Sequence, residues 1–245
     1  MSIAGQFEAT LSSIDDARLA GPELLPERLS LACARMLPVD GAGISVADAA
    51  GQRIPLGASS SESACAERIQ FTAGDGPCTR AQESREPVFA DLGTLYRRWP
   101  TFAALLVTRT PYRAVVALPL GEAIAGLGAI DLYFEREEAV PALDVFEAMA
   151  LGGLVTSALS EAAVWSDWPA ERGPDWLHGP TATQRAAVWE AMGKVSLALE
   201  VEAPEALELM RAMARTLGRT VDEVAADLLT ARIDAEALRE ERRPG

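Results

Sequence analysis

Two neighbouring stretches decide the fold: residues 112–120 read YRAVVALPL and residues 127–134 read LGAIDLYF. Both are rich in β-branched and aromatic side chains, which favour extended strands. Residues 121–126 between them contain glycine and have the length of a hairpin turn. The pattern therefore predicts two antiparallel strands that lie side by side at the centre of a sheet.

Three shorter stretches predict the remaining strands. Residues 40–46 (DGAGISV) and 53–58 have strand patterns on either side of a turn at 47–51, which indicates a second hairpin. Residues 87–92 (PVFADL) predict one more short strand. We expect a single antiparallel sheet built from these segments.

Apolar residues recur at helical spacing before, between and after these strands. The predicted helices cover residues 7–19, 23–37, 61–69, 99–108 and 141–160. Residues 71–79 (FTAGDGPCT) are predicted to be a loop, with Pro77 in the first turn of the next helix. The N-terminal part of the chain is therefore expected to be an α+β domain with helices flanking the sheet.

The C-terminal part predicts three helices joined by tight turns. The first covers residues 181–199, the second begins at Pro204 and ends before Gly218, and the third opens with the capping box Thr220-x-x-Glu223. Such a cap stabilises a helix by about 1 kcal/mol. Each helix has one apolar stripe, so the three must pack against one another as an all-α module.

A domain boundary is expected in residues 163–180, where tryptophan, proline and glycine occur without a helical or strand period. The predicted division is an α+β domain at 1–162, a linker at 163–180 and the all-α module at 181–245. His178 lies in this linker and is expected at the surface or between the domains.

Composition excludes several classes of protein. His178 is the only histidine in the sequence, so a histidine-based hydrolase site is nearly excluded. Cys33, Cys65 and Cys78 are odd in number and lack CxxC spacing, which argues against disulfides and a zinc site. We expect no cofactor, no metal and no catalysis.

Without a signal peptide or an apolar run of membrane-spanning length, a cytoplasmic protein away from the membrane is expected.

The three C-terminal helices carry a family resemblance. Residues 185–193 (RAAVWEAMG), residues 205–214 (EALELMRAMA), Arg219 and the pair Val224-Ala225 together resemble the ANTAR domain, an RNA-binding module of bacterial transcription antiterminators. The family usually has lysine between the alanine and glycine of the first helix, where this chain has Met192. The resemblance implies binding to RNA, although the net charge of −14 requires the positive residues to act locally.

The region before it resembles a GAF domain, a small-molecule or signal-sensing α/β fold, in the version found beside ANTAR modules in actinobacteria. The residues behind this are the GDGPC loop at 74–78, the Arg98-Trp99-Pro100 stretch with Phe102, and the paired strands that end at Phe134. The resemblance implies a sensor with an unknown small-molecule ligand.

The candidate RNA-binding residues combine arginines with small residues of the first helix. Arginine can pair two phosphate oxygens and can stack on an unpaired base. Arg211 and Arg215 are expected on one face of the second helix, where a solvated surface with Glu205 and Glu208 is the alternative. Gly193 either gives RNA close approach or packs against the third helix. The full candidate set is Arg185, Ala191, Gly193, Lys194, Arg211, Arg215 and Arg219.

The candidate sensor pocket consists of Cys78, Trp99, Phe102 and Tyr112, for which ordinary core packing is the alternative. Cys78 follows Pro77, so its thiol could lie in the first turn of a helix, where the helix dipole favours thiolate. The alternative is a small buried side chain.

These resemblances imply a homodimeric regulator that binds tandem RNA hairpins and stabilises an antiterminator structure. Helices at both ends of the GAF-like domain, including one at 145–159, would supply the dimer interface. One rival is a GAF-fold thiol enzyme, similar to a methionine sulfoxide reductase, that acts through Cys65 and Cys78. The other rival is a ligand-sensing dimer whose helical tail binds a protein.

Overall fold

The computed structural model describes residues 2–47, 53–123, 126–165 and 173–242. Its five strands form one sheet in the order β2-β1-β5-β4-β3, and every neighbouring pair is antiparallel. The predicted central pair is confirmed, since Leu118 of β4 lies opposite Ile130 of β5. The strands are β1 (Gly41–Ala47), β2 (Arg53–Ala58), β3 (Val88–Ala90), β4 (Ala114–Ala123) and β5 (Gly126–Phe134).

Ten α-helices lie in the described part of the chain. Seven belong to the N-terminal domain (residues 2–165) and three to the helical module (residues 180–242). They are α1 (Ile3–Ser12), α2 (Leu25–Met36), α3 (Ser61–Ala73), α4 (Pro77–Ser84), α5 (Leu92–Arg98), α6 (Pro100–Arg109), α7 (Val145–Trp165), α8 (Pro180–Leu199), α9 (Ala203–Thr216) and α10 (Val221–Leu229).

The sheet separates two apolar cores because successive side chains of a strand point to opposite faces. In β4, Val116 and Leu118 join the core covered by α2 and α7, whereas Val115 and Ala117 join the core beneath α3 and α6. This second face is also the face on which the helical module lies.

The first predicted helix is wrong in its extent. Residues 7–19 were expected to be one helix, but α1 ends at Ser12 and a separate 3-10 turn covers Ala17–Leu19. The Asp16 carboxylate accepts a hydrogen bond from the backbone N–H of Arg18 at 2.9 Å and starts that new turn. Short polar side chains of this kind compete with continued helix.

The predicted loop at 71–79 is wrong in its first part. Helix α3 continues through Phe71 and Thr72 and ends at Gly74, whose φ of +83° is the left-handed conformation that glycine adopts without strain. The following helix begins at Pro77, as predicted. Phe71 and Thr72 are therefore fixed on a helix rather than in a flexible segment.

Helix α5 was missed by the sequence patterns. The Asp91 side chain accepts from the backbone N–H of Thr94 at 2.6 Å and caps it, so the strand predicted for 87–92 is limited to Val88–Ala90. The helix predicted for 99–108 is present as α6, which begins at Pro100.

The three predicted C-terminal helices are present. Their apolar stripes meet in one core, and the predicted capping box of Thr220 and Glu223 is formed. A 3-10 segment at Ala235–Arg242, which the sequence patterns did not predict, adds Leu238 to this core. Residues 166–172 of the predicted linker are outside the described residues, but α7 extends into the linker to Trp165 and a 3-10 turn covers Asp175–His178.

Helix α7 departs from the expectation that no segment has membrane-spanning character. By length and composition alone, Val145–Val164 could cross a bilayer. That is weak evidence, because the core helix of a soluble protein passes the same test. Its buried residues Leu151 and Val155 belong to the core on the sheet, which gives the helix a partner within the fold.

We predict that Leu151→Ala lowers the free energy of unfolding by about 2 to 5 kcal/mol, because it empties a fully buried position. The matched change Leu197→Ala, at a side chain that is 84% exposed on α8, should alter it by less than about 0.5 kcal/mol. Urea unfolding followed by circular dichroism measures both. Equal effects would contradict the packing of α7 on the sheet.

Candidate nucleic-acid interface

Phe71 connects the two parts of the molecule. Its side chain is 3% exposed and, although it belongs to α3, it lies in the core of the helical module. It is the only member of that core cluster, among the described residues, that comes from the N-terminal domain. The module is therefore docked on the C-terminal end of α3.

Arg185 of α8 lies directly over this ring. Its guanidinium carbon is 3.5 Å from the centroid of the Phe71 ring, and the side chain is 1% exposed. Its Nη1 lies 3.4 Å from a carboxylate oxygen of Asp222, whereas its buried Nε and Nη2 have no hydrogen-bond acceptor among the described residues. Burial lowers the pKa of Arg185 to about 10, although the Asp222 charge opposes this.

Arg211 of α9 reaches the same ring from a second helix. Its guanidinium carbon is 4.8 Å from the ring centroid, and its Nε donates to the Phe71 carbonyl at 3.1 Å. Trp189 meets the ring edge-on at a centroid distance of 5.7 Å. Trp189 and Arg185 are four residues apart and so share one face of α8. We call Arg185, Trp189 and Arg211 the arginine clamp.

Polar contacts around the clamp hold the two parts together. The backbone N–H of Val221 donates to the Thr72 hydroxyl at 2.9 Å. Arg109 of α6 donates to both carboxylate oxygens of Glu223, at 2.8 and 3.2 Å, and to the Gly218 carbonyl at 3.1 Å. Burial of Glu223 acts to raise its pKa, but these bonds and the helix cap lower it to about 2.

The other positively charged candidates, Arg219, Lys194 and Arg215, lie at separate positions on the helical module. Arg219 donates to Asp227 at 2.7 Å on the same module, and the Lys194 ammonium donates to the Leu228 carbonyl at 2.5 Å near the end of α10. Arg215 is exposed on α9. The candidates therefore do not form one continuous open surface in this state, and Arg211 and Arg215 do not share an environment.

The small residues of α8 have different surroundings. Ala191 is fully buried in the module core, where the partly buried Met192 also packs. A Cβ added to Gly193 would meet no atom of the described structure within 4 Å. Close packing against the third helix therefore does not explain this glycine, and the helix surface beside it is open to an approaching partner.

A second polar cluster lies buried between the sheet and α3. Arg53 donates to Glu67 at 2.5 Å, to Asp131 at 2.9 Å and to Ser45 at 3.0 Å. Gly43 leaves room for this cluster, since a Cβ there would lie 2.2 Å from Glu67 Oε1. Burial, together with the Glu67 charge, raises the pKa of Asp131 well above its ordinary value. The space beneath α3 is filled by these side chains.

Cys78 belongs to this cluster and not to an open site. Its thiol is fully buried, 3.2 Å from the Ser45 hydroxyl and 3.1 Å from Arg53 Nε. Burial raises the pKa of the Cys78 thiol, although the Arg53 charge acts in the opposite direction. Of the two alternatives for Cys78, the structure fits the small buried side chain, because burial outweighs the position in the first turn of α4. Cys65 is half-buried on α3.

The other pocket candidates are buried in the core beneath α3 and α6. Trp99 and Phe102 border a small cleft of about 140 Å³, and the Tyr112 hydroxyl lies 2.9 Å from that of Ser63. Larger clefts of about 330 and 310 Å³ lie between the domains, the first beside Arg68 and Arg109 and the second beside His178. Across the described residues, no group of three or more His, Cys, Asp or Glu side chains is placed to hold a metal ion.

Sequence patterns missed the residues that organise both sites. The pattern at 71–79 predicts a loop and gives no sign of the role of Phe71, and the contact between Arg109 and Glu223 joins residues 114 positions apart. Asp131 did carry a local signal, since it is the single charge in the strand LGAIDLYF. A charged residue at a buried strand position requires a partner, and Arg53 supplies it.

Two solved structures are similar to this chain. The GAF domain from an Acinetobacter phosphoenolpyruvate-protein phosphotransferase aligns with a TM-score of 0.42 and 12% identity, over 67% of this chain and 98% of that one. The GAF domain of a phosphoenolpyruvate-protein phosphotransferase (ptsP) from Coxiella burnetii aligns with a TM-score of 0.41 and 14% identity, over 66% and 95%. Neither protein-family models nor curated protein sequences match the chain.

We predict that Asp131→Asn flattens the pH dependence of stability. A raised pKa keeps the folded carboxyl neutral while the unfolded one ionises, so the stability due to Asp131 is lost as the pH rises from about 4. An amide is always neutral, and its oxygen can accept the bonds from Arg53 and Gln70. Urea unfolding from pH 4 to 9 measures the difference.

The control for this experiment is Asp15→Asn, which makes the same change at an exposed position. Its unfolding free energy should follow that of the unmodified protein across the pH range. If Asp131→Asn also follows the unmodified protein, the buried carboxyl is ionised in the folded state and the assignment is wrong.

Proposed function

We propose that this protein is a GAF-type sensor joined to an ANTAR-type RNA-binding module, and that it regulates transcription antitermination by binding tandem RNA hairpins. The observation that carries the proposal is the arginine clamp. In an acidic chain, two arginines from different helices of the module converge on one planar ring. Arginine in this arrangement suits phosphates and unpaired bases.

Such a regulator needs no covalent chemistry. RNA bound to the module would shift the population from a terminator to an antiterminator structure, to the extent that the module binds the two RNA structures with different affinity. The rival thiol enzyme has no support at Cys78, since a fully buried thiol with a raised pKa is a poor nucleophile. We therefore propose a non-enzymatic protein.

We predict that the full-length protein binds a tandem-hairpin RNA more tightly than a scrambled RNA of equal length. Arg215→Ala should weaken binding to both and reduce the slope of log affinity against log salt by about 1, because an exposed arginine contacts phosphate. The measurement is fluorescence anisotropy between about 50 and 200 mM salt.

The matched control is Arg18→Ala, which removes the same charge from an exposed arginine outside the module. It should leave the affinity and the salt slope unchanged. A protein that binds the hairpin and the scrambled RNA equally would overturn the RNA function and would favour a protein partner for the helical module.

We also propose a homodimer in which two α7 helices pack together. A chain of charge −14 repels its own copy, so contact is favoured where charge is sparse. The exposed residues of α7 include Phe146, Met149, Gly153 and Val164, and among the exposed residues described on this helix only Glu161 is charged. A second copy could place the same face against it with twofold symmetry.

For the dimer, we predict that Phe146→Glu produces a monomer at concentrations where the unmodified protein is dimeric, because it buries a charge in an apolar contact. Phe146 is 83% exposed in the single chain. Phe89→Glu makes the same change at another exposed phenylalanine, on β3, and should leave the dimer intact. Sedimentation velocity distinguishes the species, and a monomeric unmodified protein at tens of micromolar would contradict the interface.

A further inference from the structure

The arginine clamp holds an aromatic ring of the same chain, at a place where an RNA-binding module would hold RNA. Phe71 belongs to the N-terminal domain, yet it occupies the point where Arg185 and Arg211 converge. A phenyl ring and a nucleobase both offer a flat aromatic face, on which a guanidinium stacks in the same way. An unpaired base is thus a second kind of planar group that this pair of guanidinium groups suits.

We propose that the arginine clamp is a subsite for one unpaired nucleobase and that Phe71 occupies this subsite as an internal competitor. The inference rests on the proposed RNA-binding function. It identifies which chemical group of the RNA the module holds, and how the N-terminal domain controls access to it.

The hydrogen bonds of Arg185 support a nucleotide as the better occupant. Its Nε and Nη2 are buried and have no acceptor among the described residues, and the edge of a phenyl ring offers none. A buried donor without an acceptor is costly. A base stacked in the place of the ring keeps its edge acceptors in its own plane, but the phosphate of the same nucleotide can lie beside the guanidinium and accept from these N–H groups. Exchange of Phe71 for a nucleotide would satisfy donors that the docked state leaves unsatisfied.

The polar contacts around the clamp control this exchange. The bond of Arg109 to Glu223 holds the module on α6, and the bond of Val221 to Thr72 holds it on α3; neither enters the clamp. When they break, the module leaves and Phe71 is withdrawn from the subsite. The apparent affinity for RNA is then the intrinsic affinity reduced by the fraction of molecules that are undocked.

The position of the ring also links it to the buried cluster. Helix α3 carries Glu67, which bonds to Arg53 and to the Tyr133 hydroxyl, only four residues before Phe71. A shift of α3 caused by a signal within the N-terminal domain would move Phe71 and the Thr72 hydroxyl together. Helix α3 therefore connects the buried cluster of the N-terminal domain to the subsite.

The test compares full-length variants that differ in docking. Phe71→Ala removes the competitor, and Arg109→Ala removes a docking contact without touching the clamp. Arg97→Ala is the matched control, because Arg97 is an exposed arginine on α5 that bonds to Thr94. Each variant is titrated, at one salt concentration, with a tandem-hairpin RNA and with versions of it in which single loop nucleotides are abasic.

We expect Phe71→Ala and Arg109→Ala to bind the intact RNA about tenfold more tightly than the unmodified protein, since both raise the undocked fraction. Arg97→Ala should show no change. One abasic position in the loop should abolish the gain, and so should Arg185→Ala added to Phe71→Ala. Hydrogen exchange at the Val221 amide should be faster in Arg109→Ala, which reports undocking even if Phe71→Ala folds poorly.

The unfavourable results separate the two proposals. If the unmodified protein selects the hairpin RNA but neither docking variant binds it more tightly, internal competition is wrong and the RNA function stands. If the gain persists with every abasic RNA, the clamp binds phosphate and the base subsite is wrong. If no variant distinguishes hairpin from scrambled RNA, the proposed function fails together with this inference.

Discussion

The stacking of Arg185 and Arg211 on Phe71 is the interaction on which the arrangement of the two parts depends. It brings two guanidinium groups out of water and places them against an aromatic face, with Asp222 and Glu208 as their acidic partners. A cation over a desolvated ring is favourable by about 2 kcal/mol. Arg185 nevertheless keeps two N–H donors without an acceptor. The contact therefore holds the module in place, and it leaves a free-energy cost that a partner with hydrogen-bond acceptors could remove.

The sheet beneath this contact explains why Phe71 is held so firmly. Helix α3 is fixed on the sheet by the buried Glu67, which accepts from Arg53 at 2.5 Å and from the Tyr133 hydroxyl at 2.6 Å. Burying polar and charged side chains is expensive unless each has hydrogen-bond partners. Gly43 of β1 makes room for Glu67, and Gly41 makes room for Ser63 of the same helix, because a Cβ at either position would collide with that side chain. The same helix therefore carries the buried cluster and the docking residue.

Local sequence patterns predicted much of the fold because the responsible interactions are short in range. The central hairpin follows from two β-branched stretches around a turn, and the start of α10 follows from a capping box whose members are three residues apart. Where prediction failed, a local signal had a different effect from the one expected: the Asp16 carboxylate starts a separate turn after α1, and α3 continues beyond Ile69 to the left-handed Gly74. The resemblance to RNA-binding modules pointed to Arg185 and Arg211, but no pattern indicated that they face the N-terminal domain.

The sequence by itself determined the strands, the three C-terminal helices and the types of residue available for binding, since periodicity and caps are properties of neighbouring residues. Only the tertiary structure decided what those residues contact. Arg185 meets Phe71 across 114 positions of the chain, and Asp131 meets Arg53 across 78. Contacts between residues so far apart in the chain arise from how the elements pack, and local sequence spacing does not reveal them. The arginine clamp, the ring within it and the raised pKa of Asp131 therefore required the folded molecule.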